Sequence, residues 1–251
     1  MDDAGASRAA RLNSVSLTIV VPAYNEAGNV EPVVDEILQA LGRNPWVGSY
    51  ELLLVDDGSR DGTGAVMDRL AARHSEVVVA HHETNRGFGA ALRTGFARSR
   101  GDAVGFITAD GEVSADEVLG FLRDLGDNDL VLSRRARTVG VDRRILTWGF
   151  DLMVRLILGF WIDKTVGIYL VRGDVVRSMT LFSDTGLANL EVILTCRTRG
   201  CRIVTTGIMQ ARPRLSGASK VTNLPTVART LWEMLKLRWR IVRGRPSEQA
   251  G

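Results

Sequence analysis

The first apolar signal in the chain is Leu17-Thr18-Ile19-Val20-Val21, a nearly continuous run that predicts a strand buried on both faces. The apolar period then changes to that of a helix. Val30, Val33, Val34, Ile37, Leu38 and Leu41 fall on one face, with Asn29 as the expected cap, Pro32 in the first turn and Gly42 as the stop. The unit repeats as strand 52–55 with helix 63–74, strand 77–80 with helix 89–99, and strand 103–108 with helix 114–125. This alternation predicts a mostly parallel sheet with helices on both faces. In such sheets ligands bind beyond the carboxyl ends of the strands.

The second half is less regular. Residues 129–133, 166–171 and 202–209 read as strands, 134–144 as a basic loop and 187–199 as a helix. Residues 145–162 are almost all apolar, but Asp151 and Arg155 stand near the middle, four apart and able to pair on one helical face. Each charge would cost roughly 2.5–3.5 kcal/mol at a bilayer centre. A helix lying on the protein or in a membrane interface therefore suits this stretch better than a span. The last helical pattern, 224–243, places Trp232, Leu235, Trp239 and Val242 near one face, with Lys236, Arg238, Arg240 and Arg243 around them. Aromatic and basic residues at helical spacing suit an anionic monolayer surface. A helix docked on its own domain with a solvated basic side is the other reading.

Composition narrows the class. The 251 residues are 45% hydrophobic and 24% charged, enough for one large α/β domain with a packed core. The net charge of +3 does not imply nucleic acid, and the basic residues gather near the C-terminus. Cys196 and Cys201 make no disulfide framework and no metal site; they read as reduced thiols of a cytoplasmic protein. Residues 1–13 are polar with no apolar stretch of the signal-peptide kind and are expected to be a disordered tail, as are 244–251. The expected organisation is a catalytic domain over 14–223 followed by the amphipathic basic helix 224–243.

Four polar motifs follow predicted strands. Val21-Pro22-Ala23-Tyr24-Asn25-Glu26 breaks its strand and leaves an aromatic ring and a carboxylate at the sheet edge, able to receive a base. Val55-Asp56-Asp57-Gly58-Ser59 puts two carboxylates before a turn whose helix would be capped by Asp61 or Thr63; a carboxylate here can accept from a base N–H or a ribose hydroxyl. Asn85-Arg86-Gly87-Phe88-Gly89 opens a helix with small residues, for close approach either to a ligand or to another backbone. Thr108-Ala109-Asp110-Gly111-Glu112 separates two acidic side chains by one Gly, so that Asp110 and Glu112 can converge on a hard cation completed by phosphate oxygens and water. Taken singly, each is also readable as a plain turn.

In combination and in this order, the four motifs resemble the inverting family-2 glycosyltransferases, and within them the polyprenyl-phosphate (dolichyl-phosphate-type) mannosyl- and glucosyltransferases. Thr165-Val166-Gly167-Ile168-Tyr169 and Arg214-Leu215-Ser216-Gly217-Ala218-Ser219-Lys220 look like later landmarks of that family, and the resemblance spans roughly residues 17–221. It implies an α/β chain of GT-A (nucleotide-diphospho-sugar transferase) fold. By the same resemblance Pro22, Ala23, Tyr24, Glu26 and Asp57 would hold the nucleoside, and Asp110 and Glu112 would hold Mg2+ or Mn2+. Arg214 and Lys220 would close over phosphates from a Gly/Ser-rich loop. Arg134, Arg135, Arg143 and Arg144 stand where such enzymes keep a basic acceptor loop. One departure is Thr108, where the family usually has the first Asp of Asp-x-Asp; Thr is a poor metal ligand, and Glu112 in place of the commoner Gln restores one negative charge. The pattern is that of an altered metal site.

The implied partners are a nucleoside-diphosphate sugar and a polyprenyl phosphate, with no nucleic acid, on a protein peripheral to the cytoplasmic membrane face. A phosphate acceptor needs no strong general base, whereas a neutral hydroxyl would need one, with Glu191 as the candidate for that role or for an acceptor contact. Two alternatives stay open from sequence: the same donor chemistry onto a soluble natural-product or carrier-bound hydroxyl, and a catalytically silent sugar-nucleotide-binding or membrane-scaffold protein.

Overall fold

The run of buried residues at 17–21 becomes the third strand across a seven-stranded sheet of order β3-β2-β1-β4-β6-β5-β7. The computed structural model describes residues 15–135, 152–157, 166–209, 212 and 224–243. Strand β1 (Val15–Ala23) pairs in parallel with β2 (Val47–Asp56) on one side and β4 (Ala103–Phe106) on the other. Leu17, Ile19, Val20 and Val21 are all buried, which is what covering both sheet faces requires. The polar Thr18 inside this strand is satisfied: its hydroxyl donates to Glu51 Oε1 (2.7 Å) and accepts from the Gly101 amide (2.9 Å). Strand β3 (Val77–His81) extends the parallel half beside β2.

The helices between these strands are α1 (Val30–Arg43), α2 (Thr63–Arg73) and α3 (Phe88–Arg98). On α1 the buried positions include Val30, Val33, Val34, Ile37 and Leu41. Burying each such side chain contributes about 1.5–3 kcal/mol relative to exposure. Asn29 holds the N-cap position of α1 as expected but makes no side-chain cap bond; its Nδ2 donates to Glu26 Oε2 at 2.6 Å. Nor does Gly42 stop the helix, which runs on to Arg43.

Beyond β4 the chain departs further from its pattern. The helix expected over 114–125 is two short pieces, α4 (Ala115–Leu119) and α5 (Leu122–Leu125), because the Phe121 amide tightens onto the Val118 carbonyl at the Gly120 break. Strand β5 (Leu130–Arg135) reaches two residues into the expected basic loop. A helical turn, α6, covers 152–157 within the long apolar stretch. Strand β6 (Val166–Arg172) runs antiparallel to both β4 and β5, and β7 (Ile203–Met209) is parallel to β5, so the sheet is mostly parallel. A short helix, α7 (Gly173–Arg177), was not legible in the pattern; α8 (Leu187–Thr198) and α9 (Leu224–Arg243) were. The landmark tyrosine, Tyr169, is fully buried against the Phe106 ring (5.1 Å between centroids) and belongs to the core.

Two apolar clusters hold the chain together. The main one fills both faces of the sheet. The smaller one joins Val154 of α6, Leu187, Leu190 and Leu194 of α8, and Met234 and Leu237 of α9. Among the described residues no helix is long and apolar enough to cross a membrane.

Candidate active site

Parallel register brings the ends of β1, β2 and β4 to one edge of the sheet: Ala23 lies beside Asp56, and Val20 beside Phe106. The Ala23 carbonyl accepts from the Asp57 amide (2.9 Å), and the Pro22 carbonyl accepts from the Ala109 amide (3.4 Å). The Asp-Asp turn and the acidic turn therefore flank the same strand end. This is the meeting of loops that a single cleft requires.

The loops after β1 and β2 are stitched into one body. Asn25 sits at φ 53°, in the left-handed region that Asn tolerates better than most residues. Its amide donates to Ser59 Oγ (2.9 Å), and its Oδ1 accepts from the Arg60 amide (2.9 Å). The Glu26 amide donates to Thr63 Oγ1 (2.8 Å) and the Ala27 amide to Asp61 Oδ2 (3.1 Å). Asp61 Oδ1 in turn accepts from the amide and hydroxyl of Thr63, while Gly62, not Asp61 or Thr63, holds the cap position of α2. Of the residues expected to hold a nucleoside, Tyr24 and Glu26 are half-buried at this edge, while Pro22 and Ala23 are buried and offer backbone.

Asp57, expected at the nucleoside, holds the backbone of a neighbouring loop. Its side chain points inward, with the residue 3% exposed. Oδ1 accepts from the Arg86 amide (2.9 Å) and faces His82 Nδ1 (2.7 Å); Oδ2 accepts from the Gly87 amide (2.8 Å). The carboxylate thus holds the Asn85-Arg86-Gly87 loop against the end of β1. The small residues of that loop serve backbone packing: a Cβ on Gly87 would lie 2.4 Å from the Asp184 carbonyl oxygen, and one on Gly89 2.3 Å from that of Ser183.

Asp56 is buried too, with Oδ1 accepting from the Ser59 amide (2.9 Å) and Oδ2 facing His81 Nδ1 (3.1 Å). His81 Nε2 meets Asp68 Oδ1 at 3.0 Å, so the ring bridges two carboxylates. Burial opposes charge on the ring, but hydrogen bonds and negative charge from Asp56 and Asp68 outweigh it and raise the pKa above the ordinary 6.5. A pKa raised on folding stabilises the fold fully below about pH 6.5 and loses that contribution as pH rises through the folded value. Replacing His81 by Asn is expected to lower the melting temperature most in mild acid and least in alkali. An equal gap at every pH would show that the ring acts uncharged. The pair His81 and His82, at and just past the end of β3, carried a signal that sequence reasoning passed over: both rings face the Asp-Asp motif.

In the acidic turn Thr108 finds a role that does not require ligation. Its hydroxyl donates to Asp110 Oδ1 (2.6 Å), which also accepts from the Glu112 amide (3.2 Å) as Gly111 turns the chain at φ 73°. Asp110 is buried and Glu112 half-buried. Among the described residues no group of three or more His, Cys, Asp or Glu is arranged to hold a metal ion. Two carboxylates are nevertheless the ordinary protein share of a Mg2+ or Mn2+ site completed by substrate phosphates. Arg212, also missed from sequence, fastens the chain here: its amide donates to the Glu112 carbonyl (2.9 Å), and Nη1 reaches Glu36 Oε1 and Oε2 at 3.1 and 3.2 Å. The segment bearing Arg214 and Lys220 therefore starts beside the acidic turn. Those two residues, Arg143 and Arg144 lie outside the described residues, as do the side chains of Arg134 and Arg135.

Glu191, the candidate base, is 3% exposed, and both its oxygens accept from backbone amides, Phe182 at 3.1 and 3.2 Å and Ser183 at 3.0 Å. A carboxylate so engaged holds the 182–183 backbone in place. Cys196 and Cys201 are free thiols; burial pushes that of Cys196 up to about 12, too high for a nucleophile at neutral pH.

A parallel-rich sheet whose first, second and fourth strand ends gather a turn of paired carboxylates has the GT-A fold. Solved structures agree. Mannosyl-3-phosphoglycerate synthase from Rubrobacter xylanophilus matches 98% of this chain and 80% of its own (TM-score 0.65, 21% identity). Glucosyl-3-phosphoglycerate synthase from Mycobacterium tuberculosis, solved with Mn2+, UDP and phosphoglyceric acid, matches 98% and 84% (TM-score 0.62, 21% identity). The chain belongs to glycosyl transferase family 2, whose model matches residues 18–188. It is 31% identical to an undecaprenyl-phosphate mannosyltransferase of Micrococcus luteus over 244 residues, 90% of this chain and 97% of that one. It is also 30% identical to a dolichyl-phosphate beta-glucosyltransferase of Trichomonas vaginalis over 57% of this chain, spanning about half (48%) of that longer protein.

Proposed function

We propose that this enzyme transfers a hexose from a nucleoside-diphosphate sugar such as GDP-mannose or UDP-glucose to a polyprenyl phosphate at an anionic membrane surface, with inversion. The observation that carries the acceptor is the orientation of α9. Its inner face, with Glu233, Met234 and Leu237, is buried, while Trp232, Leu235 and Trp239 point to solvent at 60%, 51% and 56% exposure. Exposed Lys236 lies 5.3 Å from the Trp232 ring, and Arg238 is exposed nearby. Leu152, Arg155 and Leu156 of α6 are exposed as well, on the turn whose Val154 packs in the same cluster. Apolar rings bordered by basic side chains match a headgroup and acyl boundary. The near full-length likeness to the Micrococcus luteus protein points the same way.

In this reading Tyr24 and Glu26 receive the nucleoside, with Pro22 and Ala23 contributing backbone and Asp57 shaping the site from behind. Asp110 and Glu112 would hold Mg2+ or Mn2+, which when bound supplies positive charge beside the departing diphosphate. Thr108 orients Asp110 for that task. Arg214 and Lys220 clamp the donor phosphates, and Arg134 and Arg143 grip the acceptor phosphate. An acceptor phosphate oxygen forms a bond to the anomeric carbon as the bond to the diphosphate breaks; the nucleoside diphosphate leaves with the electron pair, on the opposite side. The attacking oxygen is already ionised, so no proton has to be removed, which suits the structural engagement of Glu191. The catalytic domain is 14–223, with the helix 224–243 as its surface element.

Product analysis tests this. With GDP-mannose or UDP-glucose, the expected product is a glycosylated short polyprenyl phosphate. The enzyme is expected to float with phosphatidylglycerol vesicles and to lose flotation when Trp232 and Trp239 are both changed to Ala. A product formed only on a hydroxyl aglycone, by an enzyme that never floats, would overturn the acceptor.

A further inference from the structure

The 182–185 segment stands between the C-terminal helix and the donor-side loop. Two buried carboxylates take its backbone amides in pairs. Phe182 and Ser183 donate to Glu191, while Asp184 and Thr185 donate to Glu233 of α9 at 3.1 and 3.2 Å, with the Thr185 hydroxyl adding a bond of 2.7 Å. The Asp184 carboxylate is gripped from two helices, Oδ1 by Arg93 Nη2 of α3 and Oδ2 by Arg229 Nη2 of α9, both at 2.6 Å. Arg229 Nη2 also lies 3.4 Å from the Arg86 carbonyl oxygen, and its Nε lies 3.4 Å from Glu233 Oε1.

The same segment bears on the first turn of α3, where the Gly89 amide donates to the Asp184 carbonyl at 2.8 Å. One link further, the amides of Arg86 and Gly87 are those that Asp57 holds, and the Asp57 amide is bonded to the end of β1. A continuous set of hydrogen bonds and close contacts thus runs from α9 to the loops around the nucleoside edge.

Among the described residues the buried apolar side chains of α9, Met234 and Leu237, belong to the small cluster with α6 and α8, not to the main core. Its polar anchors include Arg229 and Glu233. An element held this way shifts at lower free energy than one built into the main core. Its outer face is the one that carries Trp232, Leu235 and Trp239.

The geometry points to α9 as a positioning element of the donor site. Arg229 and Glu233, acting through Asp184, set the Asn85–Gly87 loop and through it Asp57, so that contact of the outer face with an anionic lipid surface tightens nucleotide binding. This inference rests on the nucleotide and lipid-surface readings proposed above. Coupling requires that α9 have different preferred positions on and off the surface and that the loop follow it.

The test uses the full chain with Arg229→Met, Arg229→Lys and, as a second way to break the link, Glu233→Gln. Hydrogen exchange is followed at 84–89, and Kd for GDP and UDP is measured with Mn2+, with and without vesicles of phosphatidylglycerol and phosphatidylcholine. In the wild type, vesicles are expected to tighten nucleotide binding and slow exchange at 84–89. Arg229→Met is expected to speed exchange at 84–89 but not in β1 or β2, and to weaken nucleotide binding roughly 5- to 10-fold. It still floats, yet gains no affinity from vesicles; Arg229→Lys restores part of both effects. A merely structural role would not move the vesicle-dependent gain.

If the wild type floats but its affinity is the same on and off vesicles, and Arg229→Met and Glu233→Gln exchange like wild type, the coupling is overturned while the lipid reading stands. If nothing floats but both variants still loosen 84–89 and weaken nucleotide binding, the lipid reading fails and the positioning role holds. If no nucleoside diphosphate binds the wild type, the donor reading fails; exchange at 84–89 then decides the positioning role alone.

Discussion

Replacing Asp110 by Asn is expected to lower kcat/KM by roughly 100- to 1,000-fold, the range seen when one group stabilising transition-state charge is removed. The fold should survive. Asn Oδ1 can still accept from Thr108 Oγ1 and the Glu112 amide, as the carboxylate does at 2.6 and 3.2 Å. What disappears is the negative charge that, in the proposed reading, would draw a divalent cation to the diphosphate. Steady-state kinetics in Mg2+ and in Mn2+, with a melting curve for each protein, separate the two effects. A companion change, Thr108→Val, removes only the hydroxyl that orients Asp110 and should cost about tenfold, a small share of one charge-stabilising group. Retention of activity within tenfold by Asp110→Asn in both metals would mean that the acidic turn is not where the leaving diphosphate is met.

The second large effect falls on stability. Asp57→Ala leaves the amides of Arg86 and Gly87 without an acceptor in a buried site and strips His82 of its carboxylate. Each stranded donor costs about 1–3 kcal/mol, about 2–6 kcal/mol for the two. At about 2 °C per kcal/mol for a chain of this size, that corresponds to a fall in melting temperature of roughly 4–12 °C. Asp57→Asn should be nearly as harmful, since a side-chain NH2 must then face one of the two amides. Thermal melts without nucleotide give the answer. If both variants melt like wild type and lose only nucleotide affinity, Asp57 is a ligand-facing residue after all.

These two aspartates show what a sequence can and cannot say about a site. Both follow buried strands, both precede a glycine turn, and both belong to motifs that resemble the same family. From the residues alone each was as good a ligand for substrate as the other. The structure separates them through partners distant in the chain: Asp57 meets amides 29 and 30 residues away, whereas Asp110 Oδ1 is held by the hydroxyl of Thr108 and the amide of Glu112, each two positions away. Glu191 makes the same point, since a helical carboxylate gives no sign in sequence that a backbone segment will fold over it. For α9 the pattern placed Trp232, Leu235 and Trp239 on one face, but Met234 and Leu237 offered a second apolar surface. Which of the two would dock depended on the polar anchors at Arg229 and Glu233.

The order of strands and helices, the edge where the loops gather and the identity of the acidic turn came from the chain alone. Apolar periodicity and turn chemistry act over a few residues and leave their mark directly in the letters. Which carboxylates are consumed by distant backbone amides and which face of the last helix looks outward were decided by tertiary packing. Those outcomes depend on pairings between segments tens of residues apart, and a buried polar group must accept whatever donors the fold brings to it.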